Sequence, residues 1–138
     1  MRKYLESASI SFDFAHQIVR EAIDEAAHRG VNAVVTVADP SLVLVAFGKA
    51  DGATPHSVET SRRKAFTAAS TRKETGWMDA GFAVEAPLAT NTMLTNIRGG
   101  SPITLDGLHV GGLGVAGGTP AQDAEIAVAI IERLGLAS

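Results

Sequence analysis

Eight of the 14 glycines in this 138-residue chain fall between Gly99 and Gly118. Glycine weakens a strand unless the backbone must turn sharply or lie against another backbone or a ligand. This stretch therefore constrains the fold more than any other. Ile103–Leu105 and His109–Ala116 read as strands on either side of Asp106-Gly107, a strong two-residue hairpin signal. Gly117-Gly118 then lead into Thr119-Pro120-Ala121-Gln122, which supplies an N-cap threonine, proline at the first helical position and glutamine at the capping-box position. A helix follows to Leu134, with Gly135 as its terminator.

The rest of the chain supports the same architecture. Phe12, Ala15, Val19, Ala22, Ile23 and Ala26 recur at three- and four-residue steps, which predicts an amphipathic helix over 11–29 ending at Gly30. Val31–Ala38 and Leu42–Phe47 read as strands joined through Asp39-Pro40-Ser41, an antiparallel hairpin. A second helix is expected from Pro55 to Arg72. The stretch 75–98 is the least legible, and a short helical segment is expected after Pro87, through Leu88, Met93, Leu94 and Ile97. Hairpins alternating with helices predict one α+β domain over 1–138, an antiparallel sheet packed by helices.

Composition removes several function classes. With 46% hydrophobic residues the chain can bury a core, and no repeat or linker divides it. Twelve basic against fifteen acidic residues leave a formal charge of −3, so no basic surplus exists to meet nucleic-acid phosphate. The absence of cysteine removes disulfides, thiolate catalysis and cysteine-ligated metal sites. No apolar run reaches the ~20 residues of a membrane span, and MRKYLESASI lacks the apolar stretch of a cleaved signal. The default expectation is a cytoplasmic protein with no membrane partner.

Gly117 and Gly118 stand between a strand and a helix N-terminus, where free backbone N–H groups and the helix dipole favour a carboxylate or phosphate. The plain alternative is that they let the chain turn and the helix cap itself. Gly111-Gly112-Leu113-Gly114 lacks the third glycine of a dinucleotide fingerprint, and no G-K-[ST] ending completes a Walker A loop. Lys64, beside Ala65-Phe66, either snorkels to solvent or enters a pocket to meet an acid or a ligand carboxylate. The four histidines show no metal spacing. His56 opens the second helix next to a loop and is the accessible ligand or base; His16 lies near the apolar stripe of the first helix, and His28 and His109 suit ordinary roles. Asp51 and Asp123 have plain roles in a turn and a helix start.

Several segments, taken in order, resemble the GlcG/HbpS family, the haem-degrading group. They are V-T-V-A-D at 35–39, L-V-A-F-G-K-A-D-G-A at 44–53, R-K-A-F-T-A-A at 63–69, G-G-S-P-I at 99–103 and V-G-G-L-G-V-A-G-G-T-P-A-Q-D at 110–123. The resemblance spans residues 10–134 and implies a five-stranded antiparallel sheet packed by helices, homo-oligomers, and haem or iron binding in some relatives. It places the family's pocket positions on Asp51, Lys64, Gly117, Gly118 and Asp123. One haem-binding branch uses a helical histidine, for which His16 is the match here. A glycine pair common in the family's first hairpin turn is replaced by Ser41-Leu42.

Two readings follow. In the first the chain binds a small molecule, a carboxylate or haem. Lys64 and the amides of Gly117, Gly118 and Thr119 would hold a carboxylate, and His16 or His56 would ligate iron. In the second it is a catabolic isomerase, hydrolase or decarboxylase acting on a small organic acid. There the same cationic cradle stabilises an oxyanion, and His56 or Asp123 moves a proton.

Overall fold

The computed structural model describes residues 1–138. Its elements run α1 (Phe12–His28), β1 (Val34–Ala38), β2 (Leu44–Lys49), α2 (Ser57–Thr71), α3 (Ala80–Ala89), β3 (Gly100–Leu105), β4 (Leu108–Ala116) and α4 (Pro120–Arg133). The strands form one antiparallel sheet in the order β2-β1-β4-β3. α2 covers one face and α1 with α4 the other.

The five-stranded sheet implied by the resemblance is corrected to four strands. The stretch between α2 and β3 forms a helix instead, and the remaining extended pairing is a single parallel bridge, Thr104 to Ala137, on the outer edge of β3. That helix also lies earlier than expected. Asp79 caps it by accepting from Phe82 N at 2.9 Å, Pro87 falls inside it, and Asn91 and Thr92 follow at left-handed φ of 52° and 65°. β1 starts at Val34 rather than Val31 because Val31 is spent in ending α1. Its N–H reaches Ala26 O and that of Gly30 (φ 77°) reaches Ala27 O, a Schellman termination.

The core lies between the sheet and α1 with α4, where Ile18, Val35, Val37, Leu113, Val115, Ile126 and Ile130 meet with almost no exposure. On the other face the packing is backbone against backbone. A Cβ on Gly112 would sit 2.6 Å from Ala69 N, and one on Gly114 2.6 Å from Ala65 N. The glycines of β4 are thus the floor on which α2 rests, and its small residues Ser61, Ala65 and Ala69 complete the contact. This close seating determines where Lys64 goes.

Candidate functional site

Lys64 belongs to the stripe of α2 that faces the sheet, with Ser57, Ser61 and Ala68, and only 1% of its side chain is exposed. It does not snorkel. Its Nζ donates to Val115 O at 2.8 Å and to Asp123 Oδ2 at 3.0 Å. Asp123, 2% exposed in the first turn of α4, accepts from Gly118 N at 2.9 Å through its other oxygen. Burial pulls the Lys64 ammonium below its ordinary value, and the Asp123 carboxylate opposes that by charge and hydrogen bond. A buried ion pair this well engaged joins α2, the end of β4 and the start of α4 in one knot.

Above the pair opens a depression of about 230 Å³. Lys64, Asp123, Gly117 and Gly118 contribute to it, with His56, Ser57, Thr60 and Ile97 on its sides. Five of the residues anticipated from sequence thus converge: His56, Lys64, Gly117, Gly118 and Asp123. Three do not. Asp51 lies exposed in the loop after β2, without an ion pair. Thr119 is absorbed by its own helix, since its side chain accepts from Gln122 N at 3.1 Å and its N–H donates to Gln122 Oε1 at 2.9 Å. His16 is exposed on α1, its ring 5.8 Å from that of Phe12, outside this depression.

The expected cradle is therefore partly filled from within. The Gly118 and Thr119 amides serve Asp123 and Gln122. What the pocket still offers is the third donor of the Lys64 ammonium, which has two of its three N–H bonds engaged. The His56 imidazole also makes no hydrogen bond, because His56 stands at the N-cap of α2 without capping it. Asp123 has both oxygens engaged, which suits a fixed acceptor better than a proton carrier. Ser57, Thr60 and Ile97 were not anticipated. A signal was present, since His56, Thr60 and Lys64 recur at four-residue steps and so share one face of α2.

The model of the family described as "Haem degrading protein HbpS-like" matches residues 10–132. This chain belongs to the HbpS-like family. It is 34% identical over 108 residues to Protein GlcG of Escherichia coli K12, covering 78% of this chain and 81% of that protein. Among solved structures it resembles an HbpS double mutant from Streptomyces reticuli (TM-score 0.84, 29% identity, 98% and 93% coverage). It also resembles a PduOC:heme complex (TM-score 0.82, 26% identity, 91% and 94% coverage).

The family's description names haem, and a chain that held one would need a cavity with a free imidazole beside it. Pockets that enclose drug-sized ligands run from ~300 Å³ upward, and the depression at His56 is smaller, about 230 Å³. A cavity of about 440 Å³ includes His109, whose Nε2 bonds Ala69 O at 2.7 Å and whose Nδ1 is left without a partner. His28 Nδ1 is similarly tied to Asp24 O at 2.8 Å. No three His, Asp or Glu side chains are grouped to hold a metal ion, and no helix is long and apolar enough to cross a membrane.

Proposed function

We propose that this protein binds a small carboxylate- or carbonyl-bearing molecule in the depression between α2 and the start of α4. The observation that carries this reading is the buried Lys64 ammonium at its base, with one N–H left over after Val115 and Asp123 are served. A ligand oxygen accepts that N–H, Thr60 and His56 face its polar edge, and Ile97 covers an apolar side. Held neutral overall by Asp123, the base selects for shape and hydrogen bonding more than for charge. A thermal-shift screen of small organic acids and their amides tests this. A member of the panel raises the melting temperature of the wild type and does so less in Thr60→Val and His56→Ala. A panel without effect on the wild type removes the reading.

Haem is the second reading, favoured by likeness to the solved haem complex. On this chain the residue that would hold it is His16, exposed with the Phe12 ring beside it, and a second copy would complete the enclosure. Haemin titration then produces a Soret shift that His16→Ala abolishes, and a flat titration of the wild type disposes of it. Self-association is supported by α3, an apolar helix that leaves Val84 63% and Leu88 76% exposed.

A further inference from the structure

A third cavity, about 340 Å³, lies between α4 and the start of β3. We propose that it binds a small zwitterion, an ammonium and a carboxylate on one compact frame, as in a free α-amino acid. The inference stands on residues apart from the Lys64 pocket and does not depend on the function proposed there.

Its floor includes Ser101. Gly100 faces α2, so alternation along β3 turns Ser101 toward α4 and the cavity. Ser101 is 2% exposed overall, and its hydroxyl, which has no partner within the protein, is the part open to the cavity. Opening on the cavity, it can give its donor and its acceptor to a ligand in place of solvent. Beside it, Thr75 accepts from Gly100 N at 2.9 Å and keeps its own O–H to donate.

The rim carries charges of both signs that the protein does not pair. Arg98 has no carboxylate within salt-bridge distance, and neither Glu74 nor Glu132 has a cation, whereas the neighbouring Arg29 is bound to Glu25 and Glu125. Exposed charges alone say little, since most are simply solvated. Here the placement of Arg98 is built in. Its stem lies over Gly76, whose φ is 111°, and a Cβ at that position would come within 2.6 Å of Arg98 Cγ. A side chain on residue 76 would push the guanidinium aside. A simple anion entering the cavity meets Glu74 and Glu132, and a simple cation meets Arg98. A zwitterion satisfies both, its carboxylate on Arg98 and the hydroxyls, its ammonium on the acidic side chains.

Isothermal titration of the full chain with the twenty free amino acids tests this, followed by the N-acetyl and carboxamide forms of the tightest binder. At least one free amino acid binds, and each blocked form loses tenfold or more in affinity. Arg98→Gln and Ser101→Ala weaken binding by about tenfold, while His56→Ala, in the other pocket, leaves it unchanged. Ser101→Ala removes a hydroxyl without a partner, so its melting temperature does not fall and lost affinity is not lost fold. The proposal is overturned if no amino acid binds, if the blocked forms bind as tightly as the parent, or if binding responds to His56→Ala and not to Arg98→Gln.

Discussion

The behaviour of Lys64 follows from what surrounds it rather than from what it is. In water a lysine on a helix keeps its ammonium solvated, but α2 is pressed onto the glycines of β4, and residue 64 points into that seam. The charge is tolerable there because Asp123 and Val115 O meet it. Lys64→Met leaves the Asp123 carboxylate buried without its cation, and should lower the unfolding free energy in urea by about 3–5 kcal/mol. Adding Asp123→Leu to that variant should recover most of the loss, because an apolar pair of similar volume carries no stranded charge. Were the single and double variants equally unstable, the pair would not be the source of the effect. The sequence offered Lys64 and Asp123 as separate candidates; their contact across 59 positions lay beyond any local pattern.

At the scale of elements, the glycines of the β3–β4 hairpin serve two different ends. Asp106 and Gly107 take φ of 52° and 76°, the geometry of the two-residue turn that their dipeptide signals. Nothing lies within 4 Å of a Cβ placed on Gly107, so Gly107→Ala should cost about 1–2 kcal/mol, the backbone penalty alone. Gly114→Ala places its methyl against Ser61 O and Ala65 N and must lift α2 from the sheet, so its loss should reach about 3 kcal/mol or more. Urea denaturation of the two variants ranks them, and equal losses would contradict the close seating of α2. The first hairpin solves its turn differently. Leu42 adopts a left-handed φ of 63°, while Asp39 Oδ1 accepts from Ser41 N and Val43 N, so a leucine carries a conformation that glycine would adopt freely. α4 was legible because its capping box, proline and terminal glycine are local signals, each realised in the structure. α3 was not, since Glu85 is its only polar residue and the apolar ones around it give no periodicity to read.

Across the whole molecule, α1 and α4 are joined where Glu25 accepts from Arg29 at 2.8 Å and pairs with Arg133. The hydrogen bond from Arg29, then that from Arg133, holds the Glu25 carboxyl below its ordinary value of 4.5. As pH falls the unfolded chain takes up this proton first, so the stabilisation is complete above the ordinary carboxylate range and is lost as pH drops through the lowered value. Glu25→Gln should therefore cost up to about 1 kcal/mol near neutrality, and its gap to the wild type in urea should close in acid. A gap independent of pH would mean that Glu25 acts through packing alone. The exposed face of α3 bears on assembly: Val84→Asp with Leu88→Asp should reduce the mass measured by light scattering to that of a monomer without lowering the melting temperature. A wild type already monomeric would refute self-association through α3. The sequence by itself determined the alternation of helices and hairpins, their caps and turns, and the family, because these depend on neighbours a few residues apart or on motifs in order. Only the tertiary structure decided that Asp123 fills part of the predicted carboxylate cradle, that His16 stands apart from Lys64, and that the sheet has four strands. Those outcomes depend on which face of α2 meets the glycines of β4 and on what the far ends of the chain bring to that seam.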